Sequence, residues 1–255
     1  MNSSMKLPAG PAGLAASLGL LLVAATSAWA GGSNLAWDDC GGLGGGWSNR
    51  NFLCDTNAGE SVFTISFSPY IDLPGLVGIN AVLDLQSTSS PLPPWWRYRN
   101  PGTCRQNSLS ANTTFPRTCV EPWTTPGTAG IAGYLESFGS DPTRARILAT
   151  VAVPASLRSE VLDGTEYYAL NIAIDHALSV GTGSCAGCSV PVCIVLLSLE
   201  LLQVPGSPGG DVVVLNNPLS SHYVTWQGGA INTFGCPGGS PTVSRTWGLL
   251  KSLYR

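Results

Sequence analysis

Residues 165–203, TEYYALNIAIDHALSVGTGSCAGCSVPVCIVLLSLELLQ, decide the fold class. Side chains along a β-strand point alternately to the two faces of the sheet. The first part of this stretch alternates two sets of residues, Tyr168, Leu170, Ile172 and Ile174 against Ala169, Asn171, Ala173 and Asp175. We therefore predict a strand whose first set faces a core and whose second set faces water.

The last part of the stretch is apolar on both sides. One face would carry Cys193, Val195, Leu197, Leu199 and Leu201, and the other Ile194, Leu196, Ser198, Glu200 and Leu202. Such a strand is normally central in its sheet or covered by a loop. Between the two strands, the residues GTGSCAGC at 181–188 supply the glycines that a sharp reversal needs. The pattern predicts a β-hairpin with a tip stapled by cysteines.

The rest of the chain repeats short alternating segments between glycine- and proline-rich turns. We predict further strands at 62–67, 79–85, 144–153, 211–215 and 223–227. Many short strands bounded by turn residues indicate an all-β fold, an antiparallel β-sandwich of jelly-roll or immunoglobulin-like type. The tail at 245–255, RTWGLLKSLYR, predicts a short C-terminal helix. It either docks on the sandwich or serves as a recognition tail for export or surface attachment.

The N-terminus has the form of a secretory signal peptide. An apolar segment runs from 13 to 25, and Ala28-Trp29-Ala30 has the small-x-small pattern of a cleavage site. The apolar segment is short for a membrane span. We predict a signal peptide at 1–30 and a single disulfide-rich domain at 31–255, without a transmembrane segment in the mature chain.

Composition excludes some classes of partner. Charged residues make up 11% of the 255 residues, and the formal net charge is −3. A nucleic-acid-binding protein would need a basic stripe, so no nucleic acid is predicted as a partner. The apolar strands also argue against a disordered chain.

Eight cysteines follow the predicted cleavage site: Cys40, Cys54, Cys104, Cys119, Cys185, Cys188, Cys193 and Cys236. An even number of cysteines in an exported chain indicates a disulfide framework. Sequence spacing favours Cys40–Cys54 and Cys104–Cys119 as local pairs. The last four would form two bridges, one at the hairpin tip and one recruiting Cys236. Their spacing would also suit zinc, but the oxidising compartment favours disulfides, and we predict no metal and no cofactor.

Four segments carry a resemblance. They are NLAWDDCG at 34–41, WWRYR at 95–99 with GTCR at 102–105, GTGSCAGC at 181–188 and TWGLLKSLYR at 246–255. Together they resemble a group of uncharacterised exported bacterial proteins, over the whole mature chain. The group has no assigned activity, so the resemblance implies export and supplies no catalytic residue.

The double tryptophan is the main candidate for ligand binding. It lies in Pro93-Pro94-Trp95-Trp96-Arg97-Tyr98-Arg99. Two adjacent residues of a strand point to opposite faces, so one indole would be core and the other exposed or covered by a loop. An exposed ring beside Arg97 or Tyr98 could stack on a sugar or another planar ligand. We therefore predict a ligand site at Trp95, Trp96, Arg97, Tyr98 and Arg99.

Other reactive residues form weaker patterns. His176 ends a strand, and His222 follows Ser220 and Ser221, without the nucleophile elbow that a hydrolase triad would suggest. An oxygen-rich region that could attract calcium comprises Asp38, Asp39, Asp55, Asn57 and Glu60, but no calcium-loop motif is present. No residue is predicted to be catalytic.

The function predicted from these patterns is that of an exported, non-enzymatic protein for binding or for structure. It would act outside the cell or at its surface, with the periplasm as a further location. The partner would be a glycan or another surface protein. The alternative is a secreted polysaccharide hydrolase or a carbohydrate-binding module. Hydrolysis would need two carboxylates across a cleft, and the candidates are Asp84, Glu200 and Asp175.

Overall fold

The computed structural model describes residues 32–42, 46–98, 101–114, 117–124, 127–215 and 222–229. Strands dominate this part of the chain. They are β1 (Gly32–Trp37), β2 (Asn49–Arg50), β3 (Glu60–Ser68), β4 (Leu73–Ser87), β5 (Leu109–Asn112), β6 (Thr128–Glu136), β7 (Arg144–Ala152), β8 (Ser159–Val161), β9 (Tyr167–Asp175), β10 (Val192–Gln203), β11 (Val212–Leu215) and β12 (Tyr223–Trp226). Short 3₁₀ turns lie at Pro94–Trp96, Phe138–Ser140 and Ala155–Leu157.

The strands form two sheets, which confirms the predicted all-β sandwich. One sheet has four strands in the order β1-β3-β9-β5. The other has eight strands, with the order β2-β12-β10-β4-β7-β6, and with β11 beside β10 and β8 beside β4. Pairing is antiparallel except between β2 and β12. Large apolar side chains from both sheets belong to one buried cluster.

The predicted hairpin is wrong, because its two strands belong to different sheets. Strand β9 pairs with β3 and β5, whereas β10 pairs with β4, β11 and β12. Residues 176–191, called the crossover segment below, carry the chain from one sheet to the other. Each strand is central in its own sheet, with a hydrogen-bonded neighbour on both edges.

Two β-bulges explain why the residues predicted to share one face of a strand do not all share it. In β9, Leu170 pairs with Ile65 and Tyr168 with Ser66, so Ala169 is the extra residue and Tyr168 leaves the face of Leu170. Strand β10 has the same irregularity. Its extra residue is Leu197, so Val192, Ile194 and Leu196 share a face with Leu199 and Leu201.

The predicted water face of β9 is also covered. Ala169, Asn171 and Ala173 are buried, and only Asp175 of that set is exposed. Residues of the described segments 113–114 and 117–124 contact this strand. The Trp123 indole N–H donates to the Ala169 carbonyl at 2.9 Å, and the Asn171 amide donates to the Thr114 carbonyl at 2.9 Å.

The cysteine pairing differs from the predicted local pairs. The bonds are Cys40–Cys119, Cys54–Cys188 and Cys104–Cys185, which span 79, 134 and 81 residues. Neither Cys40–Cys54 nor Cys104–Cys119 is formed, and the tip cysteines Cys185 and Cys188 bond to distant loops instead of to each other. Cys193 is also a disulfide cysteine, and Cys236 lies outside the described residues.

A layer of tryptophans fills one end of the core. The rings of Trp37, Trp95 and Trp96 all lie within 5.2–6.0 Å of the Trp226 ring, centroid to centroid. The crossover segment supplies the polar partners of Trp95, Trp96 and Trp226, whereas the Trp37 indole N–H donates to the Thr225 carbonyl of β12. The Trp96 indole N–H donates to the Gly187 carbonyl at 3.2 Å and the Trp226 indole N–H to the Cys188 carbonyl at 2.7 Å. The two disulfides of this segment therefore hold the carbonyls that satisfy the buried indoles.

Within the described residues, no helix is long and apolar enough to cross a membrane. The predicted signal peptide at 1–30 and the predicted helix at 245–255 lie outside the described residues.

Replacing either Trp95 or Trp96 by Ala should destabilise the fold by about 3–5 kcal/mol, as large core truncations do. Both side chains are completely buried, so neither replacement should behave as a surface change. Urea unfolding followed by circular dichroism measures the free energy of unfolding. The control is Trp47→Ala, at an exposed ring, which should change it by less than about 0.5 kcal/mol. A small effect at Trp95 or Trp96 would contradict the buried placement.

Peptide mapping of the unreduced protein should recover the three long-range pairs given above. We also expect a fourth disulfide peptide. Six of the eight cysteines form the three pairs above, and Cys193 is in a disulfide, so Cys236 is the cysteine that remains as its partner. We therefore expect a Cys193–Cys236 peptide from a monomer on non-reducing gels. A dimer that reduction dissolves would instead assign Cys193 to an intermolecular bond.

Candidate functional site

The predicted ligand cluster lies in the core. Residues 94–96 form a 3₁₀ turn and not a strand, so Trp95 and Trp96 are not forced to opposite faces. Both rings and Tyr98 are buried. Arg97 forms an ion pair with Glu136 at 2.6 Å, and Arg99 lies outside the described residues. The prediction that one ring faces outward is wrong, and the ligand site proposed at these residues loses the aromatic surface on which it depended.

A buried cation explains part of this packing. The Arg105 guanidinium lies 3.9 Å from the centre of the Trp95 ring and donates to the Asp175 and Ala177 carbonyls. Burial lowers the pKa of Arg105. Stacking on an indole and bonds to carbonyls stabilise a guanidinium away from water. Arg105 thus ties the end of β9 to the tryptophan layer.

The three candidate carboxylates are not brought together. Asp84 is buried and accepts hydrogen bonds from Arg144 at 2.5 Å and from Arg146 at 2.7 and 3.0 Å. Glu200 accepts a bond from Asn80 at 2.8 Å, and Asp175 accepts one from the backbone of Ala177 at 2.6 Å. Each carboxylate therefore has a local structural partner.

An open groove of about 760 Å³ lies beside the ends of β5 and β6. Its described lining residues are Ala111, Asn112, Thr113, Thr114, Glu121, Trp123, Thr124, Gly127, Thr128 and Ala129. Glu121 is the carboxylate among them, and burial raises its pKa. A glycosidase needs a second carboxylate about 5–10 Å away. The described lining does not supply one.

His176 is buried and bonded at both nitrogens. Nε2 lies 2.9 Å from the Ser61 hydroxyl, and Nδ1 lies 3.1 Å from the Ala58 carbonyl. Because a carbonyl can only accept, Nδ1 carries the proton and Nε2 accepts from Ser61. Phe52 stacks on the imidazole, with the ring centres 3.9 Å apart. Ser61 is completely buried, so this Ser–His pair has no access to a substrate. His222 packs edge-on against Tyr223.

The candidate metal ligands serve other interactions. Cys185 and Cys188 are in disulfides. Asp38 forms an ion pair with Arg50 at 2.6 Å. Asp39 accepts bonds from Thr118 and from the Cys40 amide. Although burial alone would raise its pKa, these bonds lower the pKa of Asp39. Among the described residues, no group of three or more His, Cys, Asp or Glu side chains could hold a metal ion.

Trp47, which the sequence argument did not single out, is the exposed tryptophan among the residues that the structure describes. Its relative exposure is 69%, whereas the other tryptophans of the described residues, Trp37, Trp95, Trp96, Trp123 and Trp226, are at most 4% exposed. Asp38 follows the backbone partner of Trp47, and its ion pair with Arg50 leaves the two side chains 46% and 32% exposed.

The backbone of Trp47 is held at the seam between the sheets. Its amide and carbonyl both bond to Trp37 at the end of β1, at 3.3 and 2.8 Å. The next residue, Ser48, accepts a bond from the Thr225 amide of β12 at 2.7 Å. The preceding residue must be glycine. A Cβ on Gly46 would lie 2.6 Å from the Asp39 carbonyl and 3.0 Å from that of Trp37.

No family model, curated protein or solved structure matches the chain in comparisons with known proteins.

A sequence signal for Trp47 exists, although it is weak. The ring follows the glycine-rich run GGLGGG at 41–46 and precedes only polar residues up to 51. Such a context lacks the alternating apolar pattern that buries a tryptophan. The Pro-Pro-Trp-Trp segment was predicted to expose one ring because a strand was assumed, but its prolines start a buried turn.

Protonation of His176 should weaken the fold in mild acid. Burial lowers the pKa of His176 below its ordinary 6.5, and the positive charges of Arg105 and Arg50 lower it further. The hydrogen bond to the Ala58 carbonyl and the charge of Asp175 raise the pKa, but by less. The unfolded chain then binds a proton that the folded chain does not. Stability is full above about pH 6.5 and falls as the pH drops below it, by at most about 1.4 kcal/mol per pH unit, until the lower folded pKa is reached.

Urea unfolding between pH 4.5 and 8 measures this dependence. His176→Gln should remove the part of the slope near pH 6, while the control His222→Gln should keep it. An unchanged slope in His176→Gln would contradict the assignment.

Proposed function

We propose that this chain is an exported, non-enzymatic binding protein that acts outside the cell or at its surface, with Trp47 as its main contact residue. The observation that carries the proposal is the 69% exposure of an indole whose backbone is fixed between two sheets. Aromatic residues on rigid supports are the usual anchors of recognition sites. The partner is a glycan or another surface protein.

The disulfides support the exported location. Bonds that close loops of 79 to 134 residues persist in oxidising compartments and are rare in reducing ones. The N-terminal segment with its Ala28-Trp29-Ala30 site and the resemblance to exported bacterial proteins point the same way.

The non-enzymatic role draws support from the way reactive groups are used. Asp84 is neutralised by two arginines, and His176 is sealed by Phe52 and Ser61. The hydrolase alternative draws support only from Glu121, a single carboxylate in the groove.

The test is retention of the protein on its own cell surface. Protein exported from the full chain is purified and incubated with surface fragments of the source organism, alongside Trp47→Ala. We expect removal of the indole to lower retention at least tenfold, because the ring is the anchor, with the thermal unfolding curve unchanged. Tyr70→Ala is the matched control, since Tyr70 is also exposed (54%) but lies in the turn between β3 and β4. Failure of export, or equal retention of all three proteins, would refute the proposal.

A further inference from the structure

We infer that the tail at 245–255, RTWGLLKSLYR, docks on an exposed apolar patch formed by Tyr70, Ile71 and Leu162. These three residues, called the turn patch below, lie at the end of the sandwich where β10 ends. The docking goes beyond the proposed function and does not involve Trp47. Of the two roles that the sequence leaves open for the tail, it selects docking on the sandwich.

Two turns bring the residues of the turn patch together. One joins β3 to β4, and the other lies between β8 and β9. The Gly164 amide donates to the Pro69 carbonyl at 3.3 Å, and the Asp163 amide donates to the Asp72 carboxylate at 2.8 Å. These two bonds flank the patch residues of the first turn, so the turns are fixed against each other.

The turn patch is apolar and open. Tyr70 is 54% exposed, Ile71 37% and Leu162 48%. A third turn, at 204–211, borders the patch, because a Cβ on Gly209 would lie 3.3 Å from the Ile71 Cδ1 atom. Scattered single apolar residues are normal on a protein surface, whereas neighbouring ones mark surfaces that another segment covers.

The three turns carry only negative charge. Their charged residues are Asp72, Asp163 and Asp211, without a lysine, arginine or histidine beside them in these turns. All three aspartates are exposed. Within the described part of the chain, none of them belongs to an ion pair. An apolar centre with an acidic border is complementary to a partner that is apolar and basic.

The tail has this composition. Its large apolar residues are Trp247, Leu249, Leu250, Leu253 and Tyr254, and its charged residues are Arg245, Lys251 and Arg255. It contains no Asp or Glu. The turn patch of a second copy would instead bring aspartates against aspartates, and an anionic membrane surface would be repelled. Charge therefore favours the tail as the occupant.

The chain is long enough for the tail to reach the patch. The last described residue, Gly229, lies beside the start of β10, since a Cβ there would lie 2.5 Å from the Val192 carbonyl oxygen. The third turn follows the other end of β10, a strand of 12 residues that spans roughly 36 Å. Residues 230–244 can extend over about 50 Å. If Cys236 is bonded to Cys193, the chain from Cys236 to Lys251 still extends over about 50 Å.

Zero-length cross-linking with a carbodiimide tests this docking in the protein exported from the full chain. Lys251 is the lysine that remains after the predicted cleavage, so a lysine–carboxylate product identifies the tail. We expect mass spectrometry to recover Lys251 joined to an aspartate of the three turns. The double variant Ile71→Ser/Leu162→Ser should lower the yield of this product at least fivefold, because it removes the apolar centre and keeps every carboxylate.

The matched control is Leu135→Ser, since Leu135 is also 48% exposed but lies in β6. It should leave the yield unchanged, and so should Trp47→Ala. In the tail, Leu250→Ser should lower the yield at least threefold, because it removes an apolar contact and keeps the lysine. Circular dichroism checks that every variant is folded.

Other results overturn the inference in distinguishable ways. Products of Lys251 with other carboxylates, or no product, would place the tail elsewhere. In a mixture of isotope-labelled and unlabelled protein, products that join the two would assign the patch to the tail of a second copy. Loss of the tail from the exported protein would assign it to recognition during export. Binding to phosphatidylcholine vesicles that Ile71→Ser/Leu162→Ser abolishes, without a cross-link, would make the patch a membrane contact.

None of these outcomes affects the retention test of Trp47. The residue after Trp47, Ser48, bonds to Thr225, which pairs with Cys193 at the start of β10. Trp47 and the turn patch therefore lie toward opposite ends of β10, and each site can fail without the other.

Discussion

The crossover segment at 176–191 is the constraint on which the rest of the sandwich depends. It joins the two central strands, β9 and β10, across the core, and its backbone carbonyls accept the indole N–H groups of Trp96 and Trp226. Buried indoles without such partners would each lose a hydrogen bond. Cys104–Cys185 and Cys54–Cys188 hold this segment in place. Each of these bonds closes a long loop and so lowers the conformational entropy of the unfolded chain. Without them, apolar packing alone would have to offset that entropy.

Seven of the twelve described strands were predicted, whereas β1, β2, β5, β6 and β8 were not, and neither were the pairing partners. Alternation located β3, β7, β9 and β10, because one side-chain period describes a strand wherever it pairs. Pairing depends on contacts that are distant in sequence. The bulge at Leu197 then shifted the first half of β10 to the other face, and the bulge at Ala169 shifted the first two residues of β9. A bulge leaves no distinctive residue in an apolar run.

The predicted disulfide pairs and the predicted placement of the tryptophans were wrong for a related reason. Spacing in sequence favours short loops, but the bonds that form connect the loops that the sheets bring together at the tryptophan layer. Trp95 and Trp96 were assigned to opposite faces by assuming a strand. Pro93 and Pro94 start a 3₁₀ turn instead, and in that geometry adjacent rings can both turn inward. The arginine that stacks on Trp95 is the buried Arg105, which the sequence analysis did not single out.

At the seam between the sheets, the backbone and the side chain of Trp47 have different roles. The backbone of Trp47 joins the end of β1 to the start of β2 and so helps to hold the four-stranded sheet against the eight-stranded one. Its side chain takes no part in that closure, because the ring is mostly exposed while the facing ring of Trp37 fills the core. A backbone contact tolerates any side chain with the same backbone conformation, so the identity of residue 47 is not needed for folding. The Trp47 ring therefore stays largely in contact with water, while the backbone to which it is attached is held on both sides by hydrogen bonds.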